Sequence, residues 1–136
     1  MKEAKVLLTW NKNLQTWIPV GGHIDPGENP EAAIVREVLE ETGATFAFLG
    51  DSHFENNGSV KVLKPHRIQI EKMPHHNEHI NIIFFGRVKT WKDALETDEA
   101  EKLRWFSEAE LVGMKPEMLE PVWKCAMEAL RSAEHH

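Results

Sequence analysis

The tightest constraint in this chain is a helix whose two ends are both written in the sequence. Asn29 can accept a hydrogen bond from the first turn. Pro30 suits the first helical position, where its missing N–H is not needed. Gly43 supplies the left-handed residue that ends a helix. Residues 31–42 contain no Gly or Pro, so the spacing predicts a helix over 30–42. Ile34, Val35, Val38, Leu39 and Thr42 recur at helical periodicity, which predicts that this side packs on a core.

Extended segments surround that helix. Residues 6–10 and 17–20 read as short strands on either side of an Asn11-Lys12-Asn13 turn. Residues 45–49 look extended, Asn56-Asn57-Gly58 is a turn, and 60–63 and 67–71 read as strands. The nearly unbroken apolar run in 79–89 predicts one strand covered on both faces. Residues 103–106 form a further short strand. Ser107 with Glu110 makes a capping box that opens a helix over about 108–113. A last helix starts near 117 or 121 and runs to 131, with Leu119, Val122, Trp123, Met127 and Leu130 on its apolar side. Helices within and after a run of strands predict an α/β class, an α+β sandwich with a mixed β-sheet packed between helices. At 136 residues the expectation is a single domain over 1–136. His135-His136 are set aside as a native tail or a tag.

Charge and cysteine content narrow the function classes. Lys plus Arg number 16 against 22 Asp plus Glu, a net charge of −6, and the basic residues form no stripe. A nucleic-acid polymer is therefore not the expected partner. No apolar run approaches the ~20 residues that span a bilayer, so no membrane is expected either. Cys125 is the only cysteine, which excludes an internal disulfide and points to the cytoplasm. If the substrate is an anion, a divalent metal on the excess carboxylates would offset the repulsion.

Glu37, Glu40 and Glu41 stand at i, i+3 and i+4 in the last two turns of the 30–42 helix. They repel one another and face the negative end of the helix dipole. Such a face is either fully solvated or used to bind cations. A loop glycine, Gly22, a loop acid, Glu28, and Arg36 sit at fixed offsets from these carboxylates.

Gly22, Glu28, Arg36, Glu37, Val38, Glu40, Glu41 and Gly43 match the pattern G-x5-E-x7-R-E-U-x-E-E-x-G-U at every named position but the last, where Ala44 replaces a large aliphatic residue. The stretch resembles the box of the Nudix hydrolases. Before it lies a short strand with an aromatic-rich turn; after it come the apolar strand, Arg104-Trp105-Phe106 and C-terminal helices. Val20 stands where the family often has proline directly before Gly-Gly, with Pro19 one place earlier. Members usually have another strand before the one at 6–10. The sequence starts too late to supply it, so either it is shortened at its start or a partner chain completes the sheet, as in a homodimer.

The resemblance implies an enzyme that hydrolyses a nucleoside diphosphate linked to another group, or a nucleoside triphosphate, as small-molecule substrate. Magnesium is the implied cofactor, with manganese able to replace it. Glu40 and Glu41 are the expected ligands, with Glu37 joining them or acting as general base and the Gly21 carbonyl as a further ligand. Gly21 and Gly22 let the backbone pass close to metal or phosphate. Arg36 and Glu28 are expected to brace the loop against the helix. His23 and Arg67 are candidates for phosphate contacts, and Trp10 or Trp17 for stacking on a base, with core packing the competing role for both tryptophans. Glu96, Asp98, Glu99 and Glu101 are further candidate ligands or bases. His75, His76 and His79 raise a zinc alternative, which the strand context opposes. The alternative from another class is a non-catalytic domain that senses a nucleotide or binds a partner.

Overall fold

The computed structural model describes residues 4–49, 55–56, 59–60, 65–71, 79–90 and 102–135. In chain order these form strands β1 (Lys5–Asn11) and β2 (Thr16–Pro19), helix α1 (Pro30–Thr42) and strand β3 (Thr45–Phe48). Strands β4 (Glu55–Asn56), β5 (Ser59–Val60), β6 (Arg67–Glu71), β7 (His79–Ile83), β8 (Gly86–Thr90) and β9 (Leu103–Ser107) follow. Helix α2 (Glu108–Met114), a 3-10 turn (Lys115–Glu117) and helix α3 (Glu120–His135) close the chain. The class is α+β, as the segment pattern predicts. Every strand pairing among the described residues is antiparallel: β2-β1-β9, β3 with β8, β4 with β5, and β6 with β7.

The core forms where α2 and α3 pack on the β2-β1-β9 sheet. Phe106 and Leu111 are fully buried and Leu8 nearly so, with Met118, Val122, Ala126, Met127 and Leu130 around them. Each large apolar side chain removed from water stabilises the fold by about 1.5–3 kcal/mol. Trp10 and Trp17 face each other across the β1–β2 turn with ring centroids 5.4 Å apart. Trp17 also meets Phe106 edge to face at 5.3 Å, so its ring is packed on the core. The capping box is present as read: Ser107 accepts from the Glu110 N–H, and Glu110 accepts from the Ser107 N–H. Arg104 and the Ser107 backbone hold the Glu110 carboxyl at about 2, below its ordinary 4.5.

Three expectations need correction. The apolar run 79–89 is two strands, not one. β7 pairs with β6 and β8 pairs with β3, and the chain changes partner at Phe84-Phe85. There the Ile83 carbonyl accepts from His66 and the Phe85 carbonyl from Leu49. Nor is the run covered on both faces. Ile68 and Ile70 stand opposite Ile82 and Ile80, and Ile68, Ile70 and Ile80 are exposed. The polar face of this hairpin is the one held to the body, through His66 and Arg67 on Glu128 of α3. Thirdly, Val35 and Leu39 do not pack on the core but are exposed, and so is Leu119, which precedes α3. Ala33 and Thr42 are the buried residues of α1, with Ile34 and Val38 half-buried beside them.

An apolar cavity of about 360 Å³ lies between β1 and the β7–β8 run, with Ile34 and Val38 of α1 and Cys125, Ala129 and Ala133 of α3 also lining it. Burial pushes the Cys125 thiol up to about 11. The turn at 56–58 and the strand at 60–63 fall largely outside the described residues. His75, His76, Glu96, Asp98, Glu99 and Glu101 fall wholly outside them. Among the described residues no helix is long and apolar enough to cross a membrane.

Candidate active site

Helix α1 begins and ends where its caps dictate. The Asn29 side chain accepts from the Ala32 N–H at 2.8 Å. Gly43 takes φ 74° and donates its N–H to the Leu39 carbonyl at 2.9 Å. A side chain at that φ would be strained. Thr42 Oγ1 donates to the Val38 carbonyl and accepts from the Ala44 N–H, which ties the helix end to β3. Ala44 is buried, so the small residue at the end of the box fills a packed position.

Arg36 organises the loop that precedes the helix. Its Nε donates to Glu28 Oε2 at 2.8 Å and its Nη2 to Glu28 Oε1 at 3.0 Å, a two-pronged pair. Nη2 also donates to the His23 carbonyl at 2.9 Å and lies 3.4 Å from Asp25. Glu28 Oε1 accepts from the Asp25 N–H at 2.8 Å. Residues 23–28 are thereby closed into a ring of polar contacts on one guanidinium. Arg36 and then the Asp25 N–H hold the Glu28 carboxyl below its usual range. Glu28, followed by Glu37, holds Arg36 firmly protonated. The structure places Glu28 and Arg36, the expected braces, against each other, with Arg36 also on the His23 carbonyl. Asp25 and the His23 carbonyl belong to the same ring, and no feature of the sequence singles them out.

The other end of Arg36 reaches the acids. Nη1 donates to Glu37 Oε1 at 2.9 Å and to Glu40 Oε2 at 3.2 Å. Glu37, 16% exposed, lies between Arg36 and the half-buried Glu41. Burial pushes the Glu41 carboxyl up to about 7, and the charge on Glu37, its hydrogen bond to Glu41 and the charge on Glu40 add to the rise. The Gly21 N–H donates to Glu41 and pulls the other way. Beside these carboxyl groups passes Gly22, where a Cβ would fall 2.5 Å from both Glu37 oxygens, so any larger residue would displace that carboxylate. Gly21 has no such restriction, since a Cβ there would meet only Ile34 at 3.7 Å.

This donor set fits a divalent cation. Among the described residues no three His, Cys, Asp or Glu side chains form a closed cage, and Glu40 is turned toward Arg36. Magnesium needs no such cage, being held by one or two carboxylates with the rest supplied by water and substrate. The Glu37 and Glu41 carboxylates, all oxygen and four residues apart on one face of α1, meet that requirement. The remaining candidates are placed differently. His23 is exposed on the loop beside Gly22. Arg67 is engaged with Glu128, and Trp17 with Trp10 and Phe106.

The chain is similar in sequence and fold to known proteins. A hydrolase of the NUDIX family from Clostridium perfringens superposes with a TM-score of 0.80 at 26% identity, covering 95% of this chain and 89% of that one. A NUDIX hydrolase from Nitrosomonas europaea, at 22% identity and TM-score 0.60, covers 97% of this chain and 83% of its own and shares the fold. A Bacillus subtilis (strain 168) protein named "Putative 8-oxo-dGTP diphosphatase" is 31% identical over 110 residues, 81% of this chain. The chain spans 62% of the length of that relative. A family model described as the NUDIX domain matches residues 1–128. With the box folded as a loop closed on Arg36 and a carboxylate pair on α1, the chain belongs to the NUDIX family.

Proposed function

We propose that the protein is a divalent-cation-dependent pyrophosphohydrolase that cleaves a nucleoside diphosphate joined to another group, or a nucleoside triphosphate. One observation carries this reading: the Glu37 carboxylate is held by Arg36 at 2.9 Å, directly beside the backbone of Gly22, with Glu41 half-buried on the same helix face. Glu41 and Glu37, joined by Glu40 and the Gly21 carbonyl, are the groups that would hold magnesium, or manganese in its place. When bound, the ion supplies neutralising charge to a diphosphate and polarises its phosphoryl oxygens.

The chain's own residues do the rest. Arg36 fixes the Glu37 carboxylate through Nη1, so it keeps one orientation. Glu37 is the proposed general base, since its carboxylate is oriented by Arg36 at 2.9 Å and stands against the side-chain-free backbone of Gly22. Gly22 leaves the approach to that carboxylate open. The Glu28–Arg36 pair holds the loop backbone at His23, and the exposed His23 side chain is the proposed phosphate contact. Trp17 and Arg67 are occupied elsewhere and are not assigned to substrate here.

The relative's name makes 8-oxo-dGTP the first substrate to test, followed by ordinary nucleoside triphosphates, ADP-ribose and nucleotide sugars. Monophosphate and pyrophosphate release would be measured with Mg²⁺, with Mn²⁺ and with EDTA. Turnover that needs the cation and falls by about 10²–10⁴-fold in Glu41→Gln supports the reading. Cation-independent turnover, or an unaffected Glu41→Gln, contradicts it.

A further inference from the structure

We propose that Arg36 is a placeholder cation. It occupies Glu37 and Glu40 until a divalent ion arrives, and then yields Glu40 while staying clamped to Glu28. The inference rests on the metal-dependent reading above and deepens it.

The two ends of the guanidinium are held unequally. Nε and Nη2 form the two-pronged pair with Glu28 at 2.8 and 3.0 Å, and Glu28 is 20% exposed. Nη1 places one hydrogen on Glu37 at 2.9 Å and the other on Glu40 at 3.2 Å. Glu40 is 59% exposed, and its bond is the longest of the set. A solvated i,i+4 ion pair of this kind is weak. The bidentate pair with Glu28, less exposed than Glu40, is stronger and fixed in direction. The bond to Glu40 is therefore the one that breaks when a stronger cation competes for that carboxylate.

Glu28 has a second effect. By holding Nε and Nη2 at the loop, it keeps the guanidinium from settling fully onto Glu37 and Glu40. Arg36 thus neutralises the acids well enough for them to fold beside one another, but not so well that they are withheld from a divalent ion. It is a positioning residue, acting through the carboxylates.

The proposal predicts opposite signs for two substitutions, where a purely structural brace predicts the same sign. Removing the competing charge in Arg36→Gln should tighten Mn²⁺ binding about three- to tenfold. Releasing Arg36 from the loop in Glu28→Gln should weaken it by a similar factor. Mn²⁺ binding would be read by electron paramagnetic resonance in substrate-free protein, which needs no turnover, with circular dichroism to establish folding. Weaker or unchanged binding in Arg36→Gln overturns the proposal. Wild-type protein that binds no Mn²⁺ overturns the metal-dependent reading itself, a distinct outcome. Nitrogen resonances of the wild-type Arg36 side chain give a test without a variant. Mg²⁺ should shift Nη and leave Nε–H, bonded to Glu28, in place. Movement of Nε–H alone overturns the proposal.

Discussion

Helices α1 and α3 use the same helical repeat for opposite purposes. α3 turns Val122, Cys125, Ala126, Met127 and Leu130 into the core, and its charges serve as anchors: Glu128 holds His66 and Arg67, and Lys124 pairs with Glu120. α1 buries only Ala33 and Thr42, leaves Val35 and Leu39 in solvent, and gathers Arg36, Glu37, Glu40 and Glu41 into one polar set. The first helix is held mainly by its caps and its loop, the second by apolar area. The proposed chemistry falls on the helix whose packing is poorer, where acids pressed together at its C-terminal end oppose folding and need compensation from Arg36. Stability and activity should accordingly respond to different substitutions.

The largest effect on stability should come from the α3 side. Phe106→Ala removes a fully buried ring that meets Trp17, and should cost about 3–5 kcal/mol in denaturant unfolding. A smaller loss would mean that the apolar layer is looser than its burial implies. On the α1 side, Gly22→Ala drives a methyl group into the Glu37 carboxylate. Turnover should fall about 10–100-fold, with the unfolding midpoint little changed, because the displaced group orients chemistry and carries little packing. Loss of fold without separate loss of turnover would dissolve the contrast between the helices.

The smallest effect belongs to the α2 cap. Ser107→Ala should lower stability by about 1 kcal/mol with no direct effect on the site. Its partner Glu110 supplies the pH test. The folded-state value of about 2 lies below the ordinary 4.5, so its stabilisation is complete above 4.5 and is lost as pH falls from 4.5 toward 2. In Glu110→Gln that part of the acid sensitivity should vanish, as read from unfolding midpoints across the window.

Much of this was legible where local chemistry decides the outcome. The bounds of α1 follow from Asn29, Pro30 and Gly43, and α2 opens where Ser107 and Glu110 require. The Glu37–Glu41 pair is visible as an i,i+4 spacing, and the clamp on Glu28 as a box position. Partner choice is what the sequence hides. An apolar run such as 79–89 does not say where one strand ends and the next begins, since Phe84-Phe85 look no different from Ile82-Ile83. Alternation in 67–71 marks two faces without saying which one turns outward. The pull of Glu128 on His66 and Arg67, from a helix about sixty residues away, settles it against the isoleucines. Helical periodicity likewise counts Val35 and Leu39 as core, although both are exposed, since periodicity marks a face without saying what packs on it.

The most direct test of the central claim pairs two readings on one variant. Glu41→Gln would be compared with wild type for Mg²⁺-dependent pyrophosphate release from 8-oxo-dGTP and the other nucleotides, and for melting temperature. Turnover reduced about 10²–10⁴-fold, with a melting temperature unchanged or raised because a pair of opposed carboxylates has been relieved, is the result expected of a helix built for chemistry. Full Mg²⁺-dependent turnover in a folded Glu41→Gln would contradict the account.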